Sequence, residues 1–524
     1  MSLHRVLVLF TLLIAPLAAL ALTSEGAGKI AAGDSDERIA ALDAAVAAGD
    51  PALAAFVQAL LDDEVKVAGG KAYVVHDGKV TDAASGAPAA LPDGAEDVVN
   101  NNRVRGALEG ALAALRLFSP DHAQRAKAIE ELRERADEGS LATIDKAEKA
   151  ETDPVLKAQL GMLKARVQIA SSDRGKRLAA AKLLAASSQP ATNSLLLERL
   201  AVETDPEVKA ALTVSISAVQ SRLAWGERLG VLFTGASLGS ILLLVALGLA
   251  ITYGLMGVIN MAHGELMMIG AYATYVVQGV FQKYLPGAFD WYLVAAVPVS
   301  FAASAAMGAI LERGVIRFLY GRPLETLLAT WGISLMLMQL VRSTFGAQNV
   351  GVENPSWMSG GLVLGNLQLP WNRIVIIGFA FAVLLGMALL ISRTRLGLFV
   401  RGVTQNRPIA SCMGVNTARV DTYAFALGSG IAGLAGCALS QIGNVGPDLG
   451  QSYIVDSFMV VVLGGVGQLA GTVYAALGLG ILNKFIEGWA GAVLAKICVL
   501  VLIVVFIQKR PQGLFAVKGR SAEA

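Results

Sequence analysis

The chain has 524 residues, 55% of them hydrophobic and 16% charged, with a mean hydropathy of +0.58. Soluble proteins carry roughly a quarter charged residues, which excludes a chain of this size that faces water throughout. The net charge of +2 argues neither for nor against nucleic acid, and no nucleic-acid partner is expected.

At the N-terminus Arg5 precedes an apolar run over 6–22, and Ala19-Leu20-Ala21 supplies small residues at an A-x-A spacing. This predicts a cleavable signal peptide over 1–22; an uncleaved anchor is the alternative. Pro16 and the short apolar core favour cleavage, and either reading exports the segment 23–228. The three cysteines, Cys412, Cys437 and Cys498, all fall later, so the exported segment has no disulfide to rely on.

The segment 23–228 is rich in charge and repeats itself at an offset of 52 residues. Glu151-Thr152-Asp153-Pro154 recurs as Glu203-Thr204-Asp205-Pro206, and Ser119, Asp121 and Arg125 meet Ser171, Asp173 and Arg177. Helical spacing puts Ile129, Leu132 and Ala136 on one face and Leu178, Ala181 and Leu184 on another. Pro154 and Pro206 suit the first turn of a helix, where a missing N–H costs nothing. The expectation is a stack of α-helical hairpins resembling HEAT repeats, each covering its neighbour's apolar face. Alternating Val and Tyr around His76-Asp77-Gly78 predict a small β-hairpin within 65–82. His76 beside Asp77 reads as a turn rather than a ligand pair, and no catalytic constellation or metal site is expected.

The membrane part is expected over 229–516, with a short cytoplasmic tail over 517–524. Spans are predicted near 230–251, 265–283, 291–311, 325–345, 373–392, 421–442 and 490–508, each about the 20 residues a bilayer requires. A further apolar stretch, 455–486, is interrupted at Gly464-Gly465-Val466-Gly467-Gln468. Clusters of Arg and Lys at 313–322, 393–419 and 509–520 mark cytoplasmic loops. With residue 228 outside, all three fall inside only when 455–486 returns to the side it entered from. The fold class is therefore an all-α polytopic membrane protein with a broken or re-entrant helix pair, preceded by the exported helical-repeat domain. Broken backbone at membrane depth is tolerated where it is packed in protein or lines a wet cavity, which puts Gly464, Gly465 and Gly467 beside a passage. Tight packing alone is the other reading, and is preferred for Gly428, Gly430, Gly433 and Gly436. Asn260, His263 and Glu265 are polar for their place between two spans and predict an interior hydrogen-bonded network lining the passage.

Thr252-Tyr253-Gly254-Leu255-Met256-Gly257-Val258-Ile259-Asn260-Met261-Ala262-His263-Gly264-Glu265 resembles the signature of the branched-chain amino-acid permeases of bacterial ABC importers. Leu328-Ala329-Thr330, Gly332-Ile333-Ser334, Gln405-Asn406, Val462-Leu463-Gly464-Gly465-Val466-Gly467 and Arg510-Pro511-Gln512-Gly513-Leu514-Phe515 follow in order. The long exported extension is similar to that of the urea permease subunit, so the resemblance implies urea as solute, with branched-chain amino acids as the alternative. A passive urea or amide channel is the rival from another class. Urea's donors and acceptors would be met by Asn260, Gln441, Asn444 and the backbone of 464–468.

The resemblance also implies two separate ATPase subunits, a second permease subunit, a periplasmic solute-binding protein and residence in a bacterial inner membrane. The chain itself has no Gly-x-x-x-x-Gly-Lys-Ser/Thr loop, so it is expected to be a transport subunit with no cofactor rather than an enzyme. The ATPases are expected to act on a short helix at 407–413, started by Pro408 and ended by Gly414. Arg401, Gln405, Asn406 and Arg407 are the expected contacts, although some of these arginines serve orientation.

Overall fold

The computed structural model describes residues 22–48, 51–76, 79–92, 94–133, 136 and 139–515. All but the last residue of the expected signal, the turn residues 77–78 and the tail 517–524 lie outside the described residues. The chain divides into two compact units, with the division between Leu223 and Ala224.

The first unit contains α1 (Ser24–Ala31), α2 (Ser35–Ala48), α3 (Pro51–Leu61), β1 (Val65–Ala68), β2 (Lys71–His76), β3 (Lys79–Asp82), β4 (Glu96–Asp97) and α4 (Asn102–Arg116). It continues with α5 (His122–Leu132), α6 (Leu141–Ala150), α7 (Pro154–Gln168), α8 (Arg174–Leu184) and α9 (Pro190–Val202). The expectation of an all-α chain needs correction here. The strands form an antiparallel sheet in the order β3-β2-β1-β4, with Val65 opposite Val74 and Val75 opposite Val80. The predicted hairpin over 65–82 is thus the core of a four-stranded sheet. Gly69 and Gly70 join β1 to β2 with φ of +57° and +77°, the left-handed pair that a two-residue hairpin turn requires.

The 52-residue repeat is present in the helix ends and in the contacts that join them. The ends of α5 recur as those of α8, and the starts of α7 and of α10 (Pro206–Met256) are related in the same way. Arg125 Nε donates to Glu151 Oε2 at 2.8 Å, and Arg177 Nε to Glu203 Oε2 at 2.9 Å. Nη2 donates to the other carboxylate oxygen of the same glutamate, and Nη1 to the carbonyls of Ser119 and Pro120 in one unit and of Ser171 and Ser172 in the next. Asp153 and Asp205 cap α7 and α10 through backbone N–H groups of Val155 and Glu207, at 2.7 and 2.9 Å. Ile129, Leu132, Ala181 and Leu184 are buried in the cores between these helices.

The division between the units falls within α10. The second unit continues with α11 (His263–Tyr284), α12 (Tyr292–Gly314), α13 (Pro323–Phe345), β5 (Gly361–Leu364), β6 (Leu367–Pro370) and α14 (Trp371–Arg393). Next come α15 (Arg395–Gln405), α16 (Arg407–Cys412), α17 (Thr417–Ser440), α18 (Leu449–Gly464), α19 (Leu469–Ala490) and α20 (Ala492–Lys509). Seven described helices are long and apolar enough to cross a membrane: those within 206–254, 286–314, 323–345, 371–393, 417–440, 469–490 and 492–509. The expected span at 265–283 is α11, which is not among them. The interrupted stretch 455–486 resolves into the 16-residue α18 and the 22-residue α19. β5 and β6 form a second departure from an all-α fold, a hairpin joined by Gly365-Asn366.

The core of this unit is α17, buried along most of its length. Its glycines let other backbones reach contact. A Cβ on Gly436 would lie 1.9 Å from Met267 O, and one on Gly433 would lie 2.6 Å from Ser300 O. Ser300 and Ser304 of α12 donate to the carbonyls of Gly270 and Leu266 on α11 at 2.9 and 2.8 Å. Small residues and hydroxyls therefore join α11, α12 and α17, as lipid-embedded packing favours. Large apolar residues such as Leu328, Met336, Val493 and Val501 are exposed, the surface a bilayer would cover.

Candidate functional site

α17 serves as a ruler for depth. Near its start, Asp421 pairs with Arg407; just past its other end, Gln441 accepts a hydrogen bond from Tyr292. At 1.5 Å per residue these two levels are about 30 Å apart, one bilayer core. Gly428 lies at the middle of α17 itself. A Cβ on Gly248 of α10 would lie 2.4 Å from Gly428 O and 3.0 Å from His263 Cε1. His263, the first residue of α11, thus sits inside the bundle beside the midpoint of α17. The start of α18 reaches the same place, since a Cβ on Gly450 would lie 2.3 Å from the carbonyl carbon of Gly264. Two helices begin within the bundle rather than at its faces.

The segment leading to α11 is held by side chains. Asn260 Oδ1 accepts from Ala262 N at 3.0 Å, and Met261 N donates to Thr330 Oγ1 of α13 at 3.2 Å. His263 Nε2 donates to the carbonyl of Val245 at 3.1 Å. Glu265, 1% exposed, accepts from Ser334 Oγ of α13 through Oε1 at 2.9 Å. Four buried polar atoms here have no hydrogen-bond partner: Asn260 Nδ2, His263 Nδ1, Glu265 Oε2 and the Tyr272 hydroxyl. The Tyr272 ring lies 4.7 Å from that of Phe345, tilted by 34°, and Tyr275 meets the same Phe345 ring edge-on at 6.4 Å. Asp448, the residue before α18, stands two residues from Gly450, whose backbone meets that of Gly264. Asn260, His263 and Glu265 are all buried around the start of α11, a polar seam in which each side chain engages a different group.

The remaining expected path residues lie elsewhere. Gln441 is engaged at the far end of α17 by Tyr292 and, through its backbone carbonyl, by Asn372 Nδ2 at 3.1 Å. Asn444 is exposed beside the Val350–Val445 bridge. Gly464, Gly465 and Gly467 make the turn between α18 and α19. Gly465 and Gly467 adopt φ of +97° and +81°, and Leu514 N donates to Leu463 O at 2.8 Å, clasping the end of α18.

At the opposite end from Gln441, the short α16 is tied inward. Asn406 caps it through Ile409 N at 3.0 Å, Pro408 stands in its first turn, and Gly414 beyond it adopts φ +85°. Arg407 forms an ion pair with the fully buried Asp421 and stacks 5.1 Å over the Tyr320 ring. Tyr320 OH donates to Glu312 Oε1 at 3.0 Å and lies 3.1 Å from the sulfur of Met256. Thr422 Oγ1 donates to Glu312 Oε2 at 2.6 Å. Arg401 and Gln405, by contrast, are exposed on α15. Asp421, Glu312 and Tyr320 were not singled out from sequence, though an acid at a span boundary is the signal that would have found the first two. Thr330 and Ser334 stood inside recognised blocks without a role.

An apolar helical bundle that keeps polar side chains in its interior defines the class: a polytopic membrane protein. Residues 231–507 match the family described as the permease component of branched-chain amino acid transport systems, and the chain belongs to that family. LivH of Escherichia coli K12, a high-affinity branched-chain amino acid transport system permease protein, is 29% identical over 291 residues, covering 54% of this chain and 94% of LivH. BraD of Pseudomonas aeruginosa, a permease protein of the same description, is 28% identical over 290 residues, 54% of this chain and 94% of BraD. The ribose import permease RbsC of Escherichia coli K12 is 29% identical over 199 residues, 36% of this chain and 60% of RbsC. These relatives are transport permeases and not enzymes. No solved structure matches the chain.

Proposed function

We propose that this chain is the membrane-spanning permease subunit of an ATP-driven importer for branched-chain amino acids. The observation that carries the reading is the family match over 231–507, whose relatives LivH and BraD are named for that transport. The expectation of urea rested on the N-terminal extension alone, and these names favour the amino-acid alternative. The work comes from separate ATPase subunits, and the solute arrives on a binding protein. A second permease subunit completes the passage.

The short helix at 407–413, within the loop 393–420, is the proposed coupling element. In support, α16 is joined through Arg407 to Asp421 on α17, and through Tyr320 to Glu312 and Met256, the residue that ends α10. A push on α16 therefore has a polar, geometrically fixed route to the seam at 257–265. Asn260, His263, Glu265, Gln441, Asn444 and the turn 464–467 are proposed along the passage. The N-terminal unit is proposed as an exported HEAT-like scaffold, with residues 1–22 as its signal and the C-terminus in the cytoplasm.

Uptake of labelled leucine and urea in a strain lacking this chain tests the reading. Loss of leucine accumulation with urea entry intact is expected. Loss of urea entry alone would restore the urea reading, and leucine accumulation that survives removal of the ATPases would favour a passive channel.

A further inference from the structure

We propose that the seam between α11 and α13 receives the ammonium group of the transported solute, with Glu265 as its counter-charge. This rests on the amino-acid reading above and deepens it. Glu265 is 1% exposed, and among the described residues it joins no ion pair. Ser334 holds Oε1 at 2.9 Å, which fixes the carboxylate while Oε2 remains without a partner. A buried acceptor left unpaired is costly unless something else fills it. Glu265 lies in the first turn of α11, where the helix dipole lowers the cost of a negative charge without supplying a cation.

The groups around it define what would fit. Asp448 stands two residues before Gly450, whose backbone packs on Gly264, and so puts a second acidic side chain at this end of α11. Two turns along the same face of α11, the Tyr272 hydroxyl is 3% exposed and also unpaired. Its ring, with Tyr275 and Phe345, forms an aromatic wall. Carboxylate, free hydroxyl and aromatic faces together match a primary ammonium, which donates three hydrogen bonds and is attracted to ring faces. A metal ion would want more ligands, and among the described residues no cluster of three His, Cys, Asp or Glu side chains is present.

Thermal unfolding of the purified importer tests this with three probes that share the same branched alkyl chain. Leucine and isopentylamine, which carry the ammonium, are expected to raise the midpoint at millimolar concentration, and 4-methylpentanoate, which lacks it, is not. Glu265→Gln is expected to reduce the shift at least fivefold. Tyr272→Phe, which removes only the unpaired hydroxyl, is expected to reduce it as well, and stands in should Glu265→Gln fail to fold. Equal shifts from amine and carboxylate probes, no shift with either amine, or an undiminished shift in these variants would overturn the proposal. Leucine uptake by the wild-type importer is measured alongside. Uptake that persists while the probes fail removes this site alone, whereas absence of uptake removes the amino-acid reading and the site with it.

Discussion

The Arg407–Asp421 pair bears on stability and, in the proposed mechanism, on coupling. Asp421 is wholly buried, so removing Arg407 leaves a carboxylate without its cation. Breaking a buried pair typically costs about 3–5 kcal/mol; Arg407 is 41% exposed on its other face, which places the cost nearer the lower figure. Arg407→Ala should therefore lower the thermal midpoint of the importer, and adding Asp421→Asn should recover most of that loss. Uptake should stay low in the double variant, because neither side chain then links α16 to α17. Recovery of uptake together with stability would show that the pair serves packing alone. The sequence marked Arg407 by its place in a basic loop but said nothing of its partner. Fourteen residues separate the two, and only the turn at Gly414 brings α17 back beside α16.

At the scale of elements, glycine positions sort by what surrounds them. Gly436 of α17 touches the α11 backbone, whereas Gly378 of α14 has nothing within 4 Å of an added Cβ. Gly436→Ala should separate α11 from α17 and cost more than about 2 kcal/mol, within the range for overpacked interiors. Gly378→Ala should be neutral or stabilising by up to about 1 kcal/mol, the ordinary gain of alanine within a helix. Thermal midpoints of the two purified variants check the contrast. The helices themselves were legible from hydropathy, and the repeat from its fixed offset. Where α11 and α18 begin was not legible, because hydropathy along a chain reports apolar length and not depth. Gly264 and Gly450 are far apart along the chain and meet only in the folded bundle. The β5–β6 hairpin did carry a local signal in Gly365-Asn366, a favoured two-residue turn pair, but its flanking residues are short and apolar and merge with the neighbouring spans. In the polar seam, Asn260, His263 and Glu265 were legible as misplaced polar residues. Ser334 and Tyr272 were not, since serine and tyrosine within a span attract no notice by type.

Across the whole chain, acid should act first on the N-terminal unit. The Arg125 guanidinium and the N–H groups of 152 and 153 hold Glu151 below its ordinary value of 4.5. Glu203 is also lowered: its burial acts in the opposite direction, but the Asp205 N–H and Arg177 outweigh it. Lys149 and Lys164 bring Asp145 down to about 2. Carboxylates lowered on folding add stability that is complete above their unfolded values and is lost as pH falls through the folded ones. Hydrogen exchange of the full chain, corrected for intrinsic rates, should therefore show protection in 119–208 falling between about pH 4.5 and 2. Arg125→Met with Arg177→Met should flatten that dependence, while an unchanged profile would assign the acid response to other groups. The Arg–Glu clamp has a further consequence for how such a segment can be edited. Each copy closes on itself and ends in the same capped Asp-Pro junction, so removal of 154–205 would join Asp153 directly to Pro206 and leave the Arg125–Glu151 clamp intact. The repeated part of the N-terminal unit is in this sense built from interchangeable cassettes, and its length can change by whole units without redesigning a joint.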